Sequence, residues 1–265
     1  MKQEKTRLVI LLYFCCLPLF SEAGFVVLGS MNYKYIAQKG ETYTAIVKIH
    51  NTGAKDQEVK MYLRDYLYNY EGDSFYNDPG TNKRSNANWI QYSPKTLLLK
   101  GNETQNAQFQ VTVPVSDTLV GTYWSILMVE GVNSPDPNSK SQFTIRESIR
   151  YAIQIVTNIG KTGTGELKFQ NPGIVREGGK PYFDFIMVNT GERLISPDVS
   201  MELFDMTTGV SVKMLKAAKN GMYPTTSTKW RFPLEGLPTR KTYKAVIIAD
   251  GSGEDVFGLE YTIVL

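Results

Sequence analysis

From residue 24 onward the chain alternates apolar and polar residues in short runs. Clear examples are residues 43–49, 107–113 and 244–249, each bounded by Gly, Pro or Asn. A period of two places successive side chains on opposite faces, which is typical of half-buried β-strands. The best helical candidate, residues 212–218, is short. The pattern therefore predicts an all-β protein whose many short strands form sandwiches.

A sequence repeat divides this strand-rich region in two. The segment IHNTG at 49–53 recurs as MVNTG at 187–191, and LKG at 99–101 is matched by LEG at 234–236. The offsets are similar, 189 − 51 = 138 and 236 − 101 = 135. Asn-Thr-Gly hydrogen-bonds its own backbone and so ends a strand. We therefore expect two immunoglobulin-like β-sandwich domains in tandem, residues 24–158 and 159–265, joined at a glycine-rich segment (GKTGTG, 160–165).

The N-terminus has the features of a signal peptide. Three basic residues within positions 1–7 precede an apolar run at 8–20, and small residues follow before Gly24. The run is shorter than the ~20 apolar residues of a membrane span. We expect residues 1–23 to be cleaved and the protein to be exported, to the periplasm or cell surface, with no transmembrane segment in the mature chain. Cleavage would remove Cys15 and Cys16, the only two cysteines.

Composition narrows the chemistry. The 265 residues are 42% hydrophobic and 21% charged, with 29 basic and 26 acidic residues. This near-balance gives no basic field for nucleic acid. With no thiol in the mature chain, cysteine catalysis and thiolate metal sites are excluded. His50, the only histidine, ends a strand, where a solvated imidazole is the favoured interpretation over a catalytic one. We expect no enzyme, no cofactor and no metal.

Two acidic clusters and one glycine-rich segment are candidate binding sites. Glu71, Asp73 and Asp78 form one cluster and residues 250–255 the other, but neither has the spacing of a twelve-residue calcium loop. Residues 160–165 lack the glycine order of a phosphate loop. Solvated turns and a linker are the favoured interpretations.

The most unusual segment is MYLRDYLYNYEGDSFY at 61–76. In a strand, one face would carry Tyr62, Arg64, Tyr66, Tyr68 and Tyr70. A solvent-facing row of tyrosines suits binding of sugar or extended peptide, because tyrosine combines contact area with a hydroxyl. Aromatic pairing within the sheet, or cover by the other domain, is the alternative.

A second candidate is the predicted strand at 145–155. Ile149, Tyr151, Ile153 and Ile155 alternate with polar and basic residues that include Arg150. One face would be buried and the other cationic. At a sheet edge this strand would offer backbone hydrogen bonds to an extended partner; an ordinary paired strand is the alternative. Residues 133–141, before it, are polar and predict a loop.

Several motifs resemble a known superfamily. They are Asn51 after a strand, YSPKTLLLKGNETQ at 92–105, Val-Pro at 113–114 and GTYWS at 121–125. Together they resemble the first domain of the PapD-like periplasmic pilus chaperones, with 145–157 as that domain's last strand. Residues 167–189 resemble the second immunoglobulin-like domain. The first half is similarly close to the WxL-interacting cell-surface proteins of Gram-positive bacteria, which join an immunoglobulin-like peptidoglycan-binding domain to a second sandwich.

The resemblance implies an exported, non-enzymatic protein. The sequence differs from the pilus chaperones, however, at the residues with which those proteins bind their client. Pilus chaperones hold the client's terminal carboxylate with an Arg on the first strand and a Lys on the last strand of domain one. Here those regions read MNYKY (31–35) and QIVT (154–157), so only Lys34 and Arg150 supply nearby charge. Lysine does not reproduce the bidentate grip of arginine.

Two functions are therefore expected, in order. The first is binding or assembly of a protein subunit or extended peptide of a cell-surface structure by β-strand addition. The second is binding of cell-wall carbohydrate or peptidoglycan through the tyrosine face.

Overall fold

The computed structural model describes residues 24–132, 149–251, 253 and 255–265. The predicted signal peptide, the predicted loop at 133–141 and residues 145–148 of the predicted strand lie outside the described residues. The described chain is almost entirely β-structure, as the alternation predicts.

Ten strands and one turn of 3-10 helix form the first half. They are β1 (Phe25–Leu28), β2 (Asn32–Ala37), β3 (Thr42–Asn51), β4 (Gln57–Tyr68), β5 (Ser74–Asn77), the 3-10 turn (Ala87–Trp89), β6 (Ile90–Ser93), β7 (Thr96–Leu99), β8 (Thr104–Thr112), β9 (Gly121–Val132) and β10 (Arg150–Ile159).

These strands make a two-sheet sandwich. The smaller sheet has the order β1-β3-β8-β6, and the larger has the order β2-β10-β9-β4-β5, with β7 paired to the start of β4. β2 runs parallel to β10, whereas β9 runs antiparallel to it. Inward-facing residues of both sheets form the core, among them Ile49, Phe109, Leu127 and Ile153. The residues that alternate with a period of two in the sequence therefore face the core and the surface in turn.

Seven strands form the second half. They are β11 (Leu167–Glu177), β12 (Lys180–Asn189), β13 (Asp198–Asp205), β14 (Ser211–Lys216), β15 (Ser227–Pro233), β16 (Thr242–Asp250) and β17 (Val256–Val264). They make two sheets, β11-β12-β15 and β14-β13-β16-β17, around a second core that includes Phe183, Met201, Trp230 and Ile247. The chain is thus two immunoglobulin-like β-sandwiches in tandem.

The best helical candidate of the sequence, residues 212–218, is not a helix, and residues 212–216 belong to strand β14. β14 pairs antiparallel with β13, and Leu215 packs against the second core. Seven residues are too few to offset the unfavourable nucleation of a helix, whereas a neighbouring strand supplies hydrogen bonds at once.

The two Asn-Thr-Gly motifs make equivalent hydrogen bonds in the two sandwiches. The Asn51 side chain donates from Nδ2 to the carbonyl of Leu99 at 3.2 Å and accepts at Oδ1 from the N–H of Gly53 at 2.9 Å. Asn189 donates to the carbonyl of Met222 at 2.8 Å and accepts from the N–H two residues on, at 2.9 Å. The local hydrogen bond that the motif predicts is confirmed in both copies.

Candidate functional site

Strand β10, which contains most of the described residues of the predicted strand, has different neighbours along its length. It pairs with β9 from Arg150 to Ile159, but with β2 only from Gln154 to Ile159. Its second half is therefore an interior strand. Among the described residues, the first half (150–153) has β9 as its one strand neighbour. We call residues 150–153 the open edge.

The direction of the backbone groups follows from two hydrogen bonds. The N–H of Gln154 donates to the carbonyl of Met31 at 2.9 Å, on the β2 side. The N–H of Gly131 donates to the carbonyl of Ile149 at 3.3 Å, on the β9 side. Backbone groups alternate in direction along a strand, so the N–H and C=O of Ala152 point away from β9, as those of Gln154 do.

The apolar side chains of β10 belong to the core. Ile153 and Ile155 are fully buried. The ring of Tyr151 lies edge-on to Phe25 with a centroid distance of 5.3 Å. Ile149, just before the strand, is 44% exposed. The buried face that the alternation predicts is present, so a partner could meet this part of β10 through its backbone and not through these isoleucines.

The cationic face of β10 is neutralised within the molecule. Arg150 Nε donates to the Glu130 carboxylate at 3.0 Å, which also accepts from the Tyr62 hydroxyl at 2.7 Å and lies 3.3 Å from Lys60 Nζ. Burial alone would raise the pKa of Glu130, but the hydrogen bonds from Tyr62 and Lys60 and the charge of Arg150 hold it below the ordinary value. Glu130 therefore ties β4, β9 and β10 together as an anion.

Arg64, in the middle of the predicted tyrosine row, is also partnered. It forms an ion pair with Asp78 and lies over the ring of Tyr62, 5.5 Å from the ring centroid. Asp78 belongs to the first acidic cluster (Glu71, Asp73 and Asp78). Its charge is matched by an arginine, and Tyr62 is held by both a cation and Glu130.

The other end of the tyrosine row faces the second sandwich. The Tyr68 hydroxyl donates to the carbonyl of Gly221 at 2.5 Å, and the N–H of Tyr70 donates to Ser227 Oγ at 3.0 Å. Tyr66 packs with Tyr68 at 5.7 Å between ring centroids. The expected solvent-facing row is thus absent at Tyr66 and Tyr68, because both of the alternatives, aromatic pairing and cover by the other domain, are realised there.

A buried aromatic stack joins the two sandwiches. Trp124 of β9 is fully buried and stacks on Tyr223 at 4.7 Å and 22° between ring planes. Trp124 Nε1 donates to the carbonyl of Tyr66 at 2.7 Å, and the Tyr223 hydroxyl donates to Gln154 Oε1 at 2.7 Å. Burial raises the pKa of Tyr223, so the hydroxyl stays protonated and remains a donor. In the sequence Trp124 stands out only as part of the GTYWS motif at 121–125, and no local pattern predicts its contact with Tyr223.

A backbone contact beside the stack completes the joint. The N–H of Thr122 donates to the carbonyl of Glu192 at 2.8 Å, and the N–H of Leu194 donates to Thr122 Oγ1 at 2.8 Å. At Gly121 the backbone has φ +74°, and a Cβ would lie 2.2 Å from the Glu192 carbonyl oxygen. Glycine is therefore required for the two halves to approach this closely.

A cavity of about 280 Å³ opens between the sandwiches. Its lining comes from both halves: Asn32, Lys34, Tyr66, Tyr68, Gln154, Leu194, Ser196, Asn220, Gly221 and Tyr223. We call this cavity the cleft. Lys34 is exposed there and makes no ion pair with any described residue. The cleft is thus polar, and β2 contributes to it the cation of Lys34, which has no ion-pair partner in the described part of the chain.

The remaining chemical candidates have ordinary surroundings. His50 Nδ1 lies 3.0 Å from Thr104 Oγ1. Asp255, in the second acidic cluster, accepts from Arg193 at 2.7 Å. Within the described part of the chain, no group of three His, Cys, Asp or Glu side chains is placed to hold a metal. That same part contains no helix with the length and apolar character needed to cross a membrane.

No protein-family model matches the sequence, and no curated protein sequence matches it. Solved structures do. One is a chain of the chaperone–tip adhesin complex of CFA/I fimbriae biogenesis, at 15% identity and a TM-score of 0.49, covering 91% of this chain and 99% of that chain. Another is the class 5 fimbriae chaperone CfaA, at 14% identity and a TM-score of 0.46, covering 91% and 100%.

A third match is a chain of the CsuC–CsuE chaperone–tip adhesion subunit pre-assembly complex of Acinetobacter baumannii. It shows 17% identity and a TM-score of 0.45, covering 90% of this chain and 98% of that chain. Fimbrial chaperones, the family whose motifs the sequence resembles, are thus among its structural neighbours.

Proposed function

We propose that this chain is an exported, non-enzymatic binding or assembly protein of chaperone type, which holds an extended segment of a surface-structure subunit by β-strand addition. The observation that carries the proposal is the open edge. Over residues 150–153, β10 has β9 on one side, and its other side, where β2 pairs farther along, has no strand among the described residues. The resemblance stated above points the same way.

The open edge has the properties that strand addition requires. The N–H and C=O of Ala152 point away from β9, toward the side that has no strand neighbour among the described residues. There an added strand would accept and donate hydrogen bonds. The neighbouring apolar side chains, Ile153 and Ile155, fix this strand to the core. The edge is therefore presented rigidly, which lowers the entropy lost on binding.

The cleft supplies a charge beyond the end of the open edge. β2 begins at Asn32, opposite Gln154, where the open edge ends. Lys34 lies two residues farther on and lines the cleft without an ion-pair partner among the described residues. We propose that Lys34 receives the terminal carboxylate of the added segment, as a single point charge and not as a bidentate clamp.

The test of strand addition is capture of partners from an envelope extract of the protein's own cells. Ala152→Pro removes the outward N–H and leaves the β9 ladder intact, whereas Pro at Ile153 would remove a donor to β9. We expect Ala152→Pro to abolish capture and Ala152→Gly to retain it. Lys34→Ala should weaken capture more than Lys216→Ala does, a change at an exposed lysine of β14 in the second sandwich. Equal capture by wild type and Ala152→Pro, with both folded, would contradict the proposal.

The second expected function, sugar binding on the tyrosine face, has less support. Its platform is interrupted, because Tyr68 bonds to Gly221 of the second sandwich and Tyr66 packs against the buried cluster of Trp124, Val156 and Tyr223 at the joint. Only the end of the row is open, with Tyr70 42% exposed.

We also propose residues 24–158 and 159–265 as the two domains. The sheets of the first sandwich use only β1–β10, and those of the second use only β11–β17.

A further inference from the structure

The outer face of the smaller sheet in the first sandwich is almost free of charge. Lys48 is the one charged side chain among the outward-facing residues of these four strands. The others are apolar, hydroxyl, amide or imidazole side chains, among them Ile46, Gln91, Ser93, Asn106, Gln108 and Gln110. We call this surface the amide face.

Four amides on this face have unused hydrogen-bonding groups. Gln91, Asn106, Gln108 and Gln110 are exposed, and none makes a side-chain hydrogen bond to a described residue. By contrast, Gln105, which is an odd-numbered position of β8 and so faces the other side of the strand, donates to a backbone carbonyl at 3.1 Å. The free amides therefore lie on one side of β8 and β6, as the pleat dictates.

Strand register groups these amides. Gln110 lies opposite Gln91, and Gln108 lies opposite Ser93. Adjacent strands are about 4.8 Å apart, so the four side chains form a compact array of donors and acceptors. A shallow groove of about 630 Å³ runs over them, lined also by Ile46, which is 51% exposed.

This chemistry selects a class of ligand. A charged ligand would lose part of its hydration shell on this face and would meet almost no opposite charge there. An apolar partner would bury the amide groups without supplying hydrogen-bond partners for them, which is unfavourable. A chain of neutral sugars supplies hydroxyl groups for the amides and C–H faces for Ile46. We propose that the amide face binds a neutral glycan chain.

The site is separate from the open edge. The amide face belongs to the sheet β1-β3-β8-β6, whereas β10 belongs to the other sheet of the same sandwich. A glycan and an added strand would therefore not compete for the same surface. Failure of glycan binding leaves strand addition untouched, and the reverse is also true.

The experiment measures binding of hexasaccharides to the 24–265 chain by titration calorimetry and saturation-transfer NMR. The neutral probes are chitohexaose, cellohexaose and mannohexaose, and the acidic probe is hexagalacturonate. We expect at least one neutral probe to bind and the acidic one not to. Gln108→Ala with Gln110→Ala should weaken binding about tenfold or more, since each lost hydrogen bond is worth roughly three- to tenfold.

The control is Gln170→Ala, an exposed glutamine on β11 of the second sandwich, which should bind as wild type does. Gln108→Lys should also weaken binding, and thermal melting checks that each variant is folded. The proposal is overturned if no neutral probe binds, if hexagalacturonate binds as well as the neutral probes, or if the double alanine variant binds unchanged. Self-association through this face, abolished by Gln108→Lys, would likewise overturn it.

Discussion

The tyrosine face of β4 and the amide face of β3, β8 and β6 belong to the same sandwich, yet they use their side chains in opposite ways. On β4, Tyr62 and Arg64 are held by Glu130 and Asp78, and Tyr68 bonds to the second sandwich. On the amide face, the four free amides have no protein partner among the described residues.

The difference shows that aromatic and charged residues that stand out in a sequence often make contacts within the folded protein and are then not available to a ligand. A tyrosine or arginine offers large contact area and charge, and these are the properties that intramolecular packing also uses. Glutamine and threonine on an outer face contribute little to packing. They therefore remain available, although the sequence draws no attention to them.

The largest expected effect is at the contact that covers the tyrosine face. Trp124→Ala should lower the free energy of unfolding by about 3–5 kcal/mol, the usual cost of removing a large buried aromatic side chain. Tyr223→Ala should cost less, because tyrosine is smaller than tryptophan and its removal leaves a smaller cavity. Chemical denaturation of both variants and of the double variant gives the coupling, which we expect to exceed about 0.5 kcal/mol. Additive losses would mean that the stack does not hold the sandwiches together.

An intermediate effect on the free energy of unfolding is expected at the buried carboxylate of Glu130. Glu130→Gln should cost about 1–3 kcal/mol at pH 7, since three donors lose an anion. The pKa of Glu130 is lowered in the folded state, so its stabilisation is present above the unfolded pKa of about 4.5 and is lost as pH falls through the folded value. Urea denaturation from pH 7 to pH 3 should therefore show wild type and Glu130→Gln converging.

The matched control for that series is Glu71→Gln, which changes an exposed glutamate of the β4–β5 turn. It should follow wild type at every pH. If the gap between Glu130→Gln and wild type stays constant down to pH 3, Glu130 does not act as an anion in this cluster.

The smallest effects are expected where side chains are free. Tyr70→Ala and Gln108→Ala should each change the free energy of unfolding by no more than about 0.5 kcal/mol, because neither fills the core. Thermal melting of both variants measures this. A loss of several kcal/mol at Gln108 would show that the amide face is structural, and the contrast with β4 would disappear.

Much of the fold follows from local patterns. The alternation predicts the strands, and the apolar positions of 149–155 predict which face of β10 is buried. The Asn-Thr-Gly repeat predicts a turn hydrogen bond that is present at both Asn51 and Asn189. These features depend on residues close in sequence, and the backbone geometry of a strand links them directly to the structure.

The candidate site was less predictable. Whether β10 is an edge depends on β2, which lies more than a hundred residues away and covers only half of it. The partners of Arg64 and Tyr68 are likewise distant or lie across a turn. Sequence showed that these residues were unusual, but it did not show whether the fold or a ligand would use them.

The sequence by itself determined the predominance of β-strands, the repeated Asn-Thr-Gly turn and the core faces, because a period of two and a turn motif act over a few residues. The LKG and LEG segments are not equivalent, since LKG (99–101) precedes the strand that pairs with β3 and LEG (234–236) follows the strand that pairs with β12. Only the tertiary structure decided which surfaces remain free. That choice depends on which strands become neighbours and on how Trp124 and Tyr223 bring the sandwiches together. Such contacts join residues far apart in the chain, and local pattern carries no information about their pairing.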